Sequence, residues 1–118
     1  MLDADDVRRI ALSLPGTSEK ERWNHPTFDV NGRMFVTVPD DQLSFAVRCP
    51  RQERVELIAA EPEKFWVPQH EAASAWVRVR LAALEGLDEL YDIVVDSWKQ
   101  AAPPDLAEQP LPPGPGKS

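Results

Sequence analysis

The chain has 118 residues, with 13 Lys and Arg against 20 Asp and Glu, and a single cysteine. A domain of this length buries enough apolar surface to fold without disulfides or a structural metal, and one cysteine excludes an internal disulfide. The formal net charge of −7 excludes uniform attraction to a polyanion, because phosphate binding depends on clustered cations.

Targeting signals are not visible in the sequence. Three aspartates precede the first apolar residues, whereas a secretory signal needs a basic start and an unbroken apolar run. Charges interrupt every apolar stretch well before the roughly 18 to 20 residues that a membrane helix requires. The sequence therefore predicts a cytoplasmic monomer without a membrane segment.

The first element is a predicted helix over residues 3–14. Asp3 is suited to cap its start, and Pro15-Gly16 ends it. The polar segment 17–23 is predicted as an edge strand. The residues of the 3–14 helix that are predicted to face the core recur at helical spacing: Val7, Ile10, Ala11 and Leu14.

Three further strands follow as an antiparallel meander. Phe28 and Val30 alternate with polar residues, and Asn31-Gly32 is a strong hairpin signal. Residues 33–38 are the predicted return strand, and the alternation in 43–48 predicts the next strand.

The second half combines two helices with one clear strand. A helix is predicted from Pro50, with Val55, Ile58 and Ala59 on its inner face, and Glu61-Pro62 ends or breaks it. Residues 76–81 alternate as a strand. The last helix carries a full amphipathic stripe: Leu87, Leu90, Tyr91, Val94, Val95 and Trp98.

This element order predicts a single α+β domain over residues 1–102, an antiparallel sheet with helices packed on one face. Residues 103–118 contain many prolines and are predicted to be a disordered tail.

The stretch Trp23-Asn24-His25-Pro26-Thr27-Phe28 allows two interpretations. In the structural one, which we favour, Pro26 keeps His25 extended at the start of a strand while Trp23 and Phe28 pack. In the functional one, His25 is a general base near a carboxylate, or binds a metal together with His70.

A second candidate site is one face of the predicted sheet. If Val77 and Val79 face the helices, their neighbours in the strand face outward together with residues of adjacent strands. Cations interleaved with aromatics can hold phosphates and stack bases; the alternative is a solvated face whose arginines pair with carboxylates. The predicted nucleic-acid-binding residues are Arg33, Arg48, Trp76, Arg78 and Arg80.

Catalytic motifs are missing from the sequence. It contains no Gly-x-Ser-x-Gly elbow and no glycine-rich phosphate loop. Cys49 precedes a predicted helix, which would lower its pKa, but a lone thiol is more often a small core residue. The sequence thus predicts no catalytic residue, no metal site and no cofactor.

Three segments together resemble the MmcQ/YjbR family: "ALSLPGTSEKERWNHPTFDVNGRMFVTV", "WVRVRL" and "LDELYDIVVDSWKQAAP". The resemblance extends over about residues 5–102, with departures at Asn24 and Trp98. It implies a CyaY-like α+β sandwich of the double-wing DNA-binding type, without an established reaction.

Two functions are therefore open at this stage. The first is weak, salt-dependent DNA binding through the sheet face, without catalysis. The alternative is a non-enzymatic module that binds another protein or a small ligand.

Overall fold

The computed structural model describes residues 2–39, 43–108 and 111. Its helices are α1 (Ala4–Ser13), α2 (Arg51–Ala60), α3 (Leu87–Ala101) and α4 (Pro104–Ala107). Its strands are β1 (Thr17–Arg22), β2 (His25–Val30), β3 (Arg33–Thr37), β4 (Ser44–Arg48), β5 (Phe65–Trp66) and β6 (Trp76–Arg80). Short 3₁₀ turns occupy Gln69–Glu71 and Leu81–Ala83. No helix in the described ranges is long and apolar enough to cross a membrane.

The strands form one antiparallel sheet in the order β1-β2-β3-β4-β6-β5. Helices α1 and α3 pack against this sheet and against each other. The core lies between them and contains the side chains of Phe28, Phe45, Val79, Val94 and Trp98. The predicted α+β architecture is confirmed.

A capping box fixes the start of α1. The Asp3 carboxylate accepts from the Asp6 amide at 3.0 Å, and the Asp6 carboxylate accepts from the Asp3 amide at 2.9 Å. The amides of Asp3 and Asp6 at the start of the helix thereby each gain a side-chain acceptor. Val7, Ile10 and Ala11 then face the core, as their spacing predicts.

Two tight hairpins order the first three strands. Trp23 and Asn24 join β1 to β2 with φ of 53° and 65°, and Asn31 and Gly32 join β2 to β3 with φ of 51° and 84°. Positive φ at both loop positions is the geometry that matches the twist of a two-residue hairpin. The predicted packing of Trp23 is wrong, because this turn leaves the indole 68% exposed, whereas Phe28 is buried.

A β-bulge changes which residues of β3 face the core. The register between β2 and β3 shifts after Phe28, so that Phe28 lies opposite Val36 while Asp29 lies opposite Met34. Phe35 is the extra residue and is buried in the core. Arg33, predicted to share a face with Arg78, instead lies opposite the core residue Val30.

Helix α2 also differs from its predicted orientation. Val55 is 68% exposed and Ala59 is exposed, whereas Arg54 is buried. Leu57 and Ile58 are the α2 residues that pack against the core. The inner face is set by Arg54, whose guanidinium donates to backbone carbonyls of the loop before β6.

The beginning of the predicted disordered tail is ordered in the structure. Residues 104–107 form α4, and Leu106 lies directly over Gly16, where an added Cβ would be 2.8 Å from its Cδ1. Gly16 has a φ of 72°, so its lack of a side chain permits both the turn and this contact. Residues 109, 110 and 112–118 of the predicted tail lie outside the described residues.

Candidate nucleic-acid interface and an acidic cleft

One row of cross-strand neighbours defines the sheet surface opposite α1 and α3, which we call the open face. Because directly paired residues point to the same side of a sheet, this row shares one surface. Glu19, the neighbour of Lys20, points the other way and pairs with Arg8 of α1 at 2.7 Å. The row runs through Lys20, Thr27, Thr37, Ala46, Arg78 and Trp66.

Two arginines of the open face stack on tryptophans. The Arg80 Cζ lies 4.2 Å from the Trp66 ring centroid, and the Arg48 Cζ lies 5.4 Å from that of Trp76. Arg80 also donates to the Glu63 carbonyl at 3.0 Å, and Arg48 to the Met34 carbonyl at 2.6 Å. A tryptophan ring beside each guanidinium stabilises its positive charge, and N–H groups that are not used in these contacts can donate to an anion.

The third arginine of this group is held by a carboxylate. Arg78 forms a two-point contact with Glu71, with its Nε 3.1 Å from Oε1 and its Nη2 on Oε2. Hydrogen bonding by Arg78 lowers the pKa of Glu71, although burial opposes this effect. In this respect the open face matches the alternative prediction of arginines paired with carboxylates.

A second fork lies at the β1–β2 end of the same surface. The Arg22 guanidinium donates to both oxygens of Asp29 at 2.8 Å and to the Thr27 hydroxyl at 2.9 Å. Lys20 lies 3.5 Å from the same carboxylate. Asp29 is buried, and the hydrogen bond from Arg22 lowers its pKa, outweighing burial.

The lowered pKa of Asp29 gives a pH-dependent contribution to stability. A carboxyl group with a depressed folded-state pKa stabilises the fold above its unfolded pKa of about 3.9, and this contribution is lost as pH falls through the folded value. We expect the unfolding free energies of wild type and Asp29→Asn to differ at neutral pH and to converge as the pH falls below the lowered folded-state pKa of Asp29. Chemical denaturation across this range measures both. An NMR titration placing the Asp29 pKa at or above the ordinary value would contradict the assignment.

The open face carries a charge opposite to that of the rest of the protein. Its five cations are Lys20, Arg22, Arg48, Arg78 and Arg80, and they are accompanied by two carboxylates, Asp29 and Glu71, for a net charge of +3. The other described residues carry seven Lys and Arg against sixteen Asp and Glu. The net charge of the chain therefore hides a local basic surface.

On the helix side of the sheet, α2 and α3 flank a cleft of about 470 Å³. Its floor consists of the buried residues Val47, Phe65, Val77 and Cys49. Leu57 of α2 and Ile93 of α3 form apolar walls. Four exposed carboxylates occupy the rim, namely Glu53 and Glu56 of α2 and Asp92 and Asp96 of α3.

Cys49, at the floor of this cleft, is not an activated thiol. Burial raises its pKa to about 11, and the negative charges of Glu53 and Asp96 contribute in the same direction. The alternative of a thiol activated by the start of α2 is therefore wrong. The effect of Glu53 and Asp96 on the pKa of Cys49 indicates negative potential at the floor, which the charge of Arg54 partly offsets.

The two histidines do not come together. His25 lies opposite Arg22 in the first hairpin, with its ring 6.1 Å from that of Trp23. His70 is exposed and lies 3.3 Å from Glu71, beside β6. Within residues 2–39, 43–108 and 111, no group of three or more His, Cys, Asp or Glu side chains is arranged to hold a metal ion.

Comparison with known proteins agrees with this architecture. The chain matches the YjbR family over residues 12–100. It belongs to the YjbR family. The crystal structure of Deinococcus radiodurans protein DR2400, a DUF419 domain, superposes with a TM-score of 0.70 at 22% identity, covering 85% of this chain and 78% of that one. No curated protein matches the chain.

In this YjbR chain the structure brings together four of the five predicted interface residues: Arg48, Trp76, Arg78 and Arg80. Arg33 lies at the start of β3 with core-side register, although its charge still lowers the pKa of Arg48, after burial as the larger cause. The structure adds Lys20 and Arg22 to the surface, together with Trp66.

The added cations had a signal in the sequence. Lys20 and Arg22 are two residues apart in a segment predicted as a strand, and that spacing places them on one face. Pairing to Thr27 and His25 then fixes which face it is.

Proposed function

We propose that this chain is a non-enzymatic, monomeric DNA-binding protein that contacts the phosphate backbone with its open face. The observation that carries the proposal is the separation of charge, a net +3 on the open face against a strongly acidic remainder. Phosphate contacts depend on local cations. Electrostatic repulsion between the acidic helix side and the polyanion would orient the molecule with its open face toward the DNA.

The spacing of the cations suits an extended strand of phosphates. Lys20 on β1 and Arg78 on β6 are separated by four strand intervals, or about 19 Å at ordinary strand spacing. Trp66 and Trp76 lie at the Arg78 end of this line. Aromatics beside a cation track are typical of proteins that bind single-stranded nucleic acid, because every base offers a face for stacking.

The same geometry predicts weak binding. Asp29 already pairs with Arg22 and Lys20, and Glu71 pairs with Arg78, so a phosphate has to compete with a carboxylate for three of the five cations. At most the five open-face cations can neutralise phosphates, so the logarithm of the binding constant should fall with that of the salt concentration with a slope no steeper than about −4.5 on duplex DNA and about −3.5 on single strands.

Titration of labelled single-stranded and duplex DNA at several salt concentrations tests the proposal. We expect Arg78→Ala/Arg80→Ala to bind roughly tenfold more weakly at low salt, with a slope smaller by about 2. Arg51→Ala/Lys99→Ala removes the same charge from exposed positions on α2 and α3, and we expect it to bind like wild type. Absence of binding at low salt, or equal losses in both double variants, would refute the open face as the interface.

Glu71→Gln provides a test with the opposite sign. The substitution releases Arg78 from its carboxylate and raises the net charge of the open face by one. We expect tighter DNA binding, by roughly threefold at low salt, with a steeper salt dependence. A weaker-binding Glu71→Gln protein that remains folded would argue that Glu71 orients Arg78 instead of competing with DNA.

A further inference from the structure

We propose that the cleft between α2 and α3 binds a small organic ammonium compound with an apolar body. The cleft lies on the side of the sheet opposite the open face, so this site is independent of the proposed DNA interface.

The size and lining of the cleft suit a small molecule. Its volume of about 470 Å³ falls within the range of roughly 300 to 1,000 Å³ that is typical of ligand sites. Val47, Phe65 and Val77 form a continuous apolar floor, and Leu57 and Ile93 close it from two sides. An apolar body would displace water from these surfaces at little polar cost.

The four rim carboxylates specify the charge of the ligand. In the described ranges none of them forms an ion pair with a Lys, Arg or His of the chain. Asp92 and Asp96 are four residues apart on α3, and Glu53 and Glu56 are three apart on α2. Like charges at these spacings destabilise a helix. The N-terminal end of α2 compensates Glu53. Glu56, Asp92 and Asp96 lie beyond the first turns of their helices, and Asp96 accepts a hydrogen bond from the Gln100 side-chain amide at 3.0 Å.

The cations near the cleft are committed elsewhere. Arg48 extends to the open face, where it stacks on Trp76 and donates to the Met34 carbonyl. Arg54 donates to three backbone carbonyls before and within β6. An anionic ligand would therefore face carboxylates on both helices, whereas an ammonium group at the rim would find carboxylate acceptors on α2 and on α3.

The cleft is better matched to a compact ligand than to a peptide helix. A peptide helix with its side chains is about 10 to 12 Å across and needs several turns of groove. The α2–α3 cleft, with a volume of about 470 Å³, offers one pocket instead of a line of anchor sites.

NMR of methyl-labelled protein, titrated with 2-phenylethylammonium and with the neutral 2-phenylethanol, tests this site. For an ammonium probe of this size we expect a Kd of about 1 mM. Shifts should be confined to the methyl groups of Leu57, Ile93, Val47 and Val77, and the alcohol should bind about tenfold more weakly. The proposal would be overturned if both probes bound equally well, or if the ammonium probe did not bind at concentrations of about 10 mM or more. It would also be overturned if the shifts were centred outside the cleft.

Two variants separate charge from shape. Asp92→Asn/Asp96→Asn should weaken the ammonium probe by about tenfold and leave the alcohol unchanged. Ala60→Trp should reduce binding of both probes by occupying the cleft. Glu21→Gln/Glu63→Gln, which removes two exposed carboxylates away from the cleft, is the matched control. Equal weakening of the ammonium probe by the control would reduce the effect to overall charge and would refute a specific site.

Discussion

Replacement of Arg54 by methionine is expected to lower the free energy of unfolding by about 3 kcal/mol, although the side chain binds no carboxylate among the described residues. Arg54 is 6% exposed. Its Nη1 donates to the carbonyls of Ser74 and Trp76 at 2.9 and 2.8 Å, and its Nη2 donates to Ala72 at 2.8 Å. Methionine fills a similar volume but leaves these three acceptors without their donors, which is the costly outcome for polar groups at a buried position.

The guanidinium shape is the reason for expecting Arg54→Lys to be costly as well. A lysine ammonium is a point donor and cannot reach three carbonyls on a curved loop with the fixed fork geometry of arginine. Arg51→Met, at an exposed position of the same helix, controls for loss of charge and is expected to change stability by less than about 0.5 kcal/mol. Urea denaturation of the three variants measures these differences. Equal stability of Arg54→Met and Arg51→Met would mean that the loop does not need its donor.

Arg54 also explains why the sequence predicts the wrong core-facing side of α2. The stripe of Val55, Ile58 and Ala59 is a sound helical pattern, but the pattern counts only apolar residues. A buried arginine that serves backbone carbonyls far along the chain has no local signature. By contrast, α1 and α3 carry long apolar stripes and explicit stop signals at Pro15 and Pro103, and both were predicted correctly.

The open face shows the same division between local and non-local information. Period-2 alternation in 76–80 and 44–48 correctly places Arg48, Trp76 and Arg78 on one surface, because pleating alone decides the face. Arg33 was misplaced because the bulge at Phe35 adds one residue to β3, and a shift of one residue exchanges the two faces. The partnership of Arg78 with Glu71 depends on how the 69–71 turn folds back over β6, which no periodicity encodes.

The acidic cleft could not be found from the sequence at all. Its carboxylates lie on two helices that are separated in the sequence by residues 61–86, which include β5 and β6. Each pair, read alone, is typical of a solvated helix face. Their convergence around an apolar floor is a property of tertiary packing, and only the structure gives it a chemical meaning.

Replacement of Trp98 by alanine is expected to be the most destabilising single change in the chain, at about 4 kcal/mol or more. The indole is fully buried in the core. Its Nε1 donates to the Pro15 carbonyl at 3.1 Å, in the turn that connects α1 to β1. Alanine would leave a large cavity between α3 and this turn and would also leave the partly buried Pro15 carbonyl without its donor.

Trp98→Phe separates the two contributions. Phenylalanine keeps most of the apolar volume but has no N–H, so we expect a loss of about 2 kcal/mol. Trp23→Ala is the matched control, since that indole is 68% exposed, and its removal should cost less than about 0.5 kcal/mol. Urea denaturation followed by circular dichroism avoids relying on tryptophan fluorescence. If Trp98→Ala cost no more than Trp98→Phe, the cavity would have collapsed and the indole would act mainly through its hydrogen bond to Pro15.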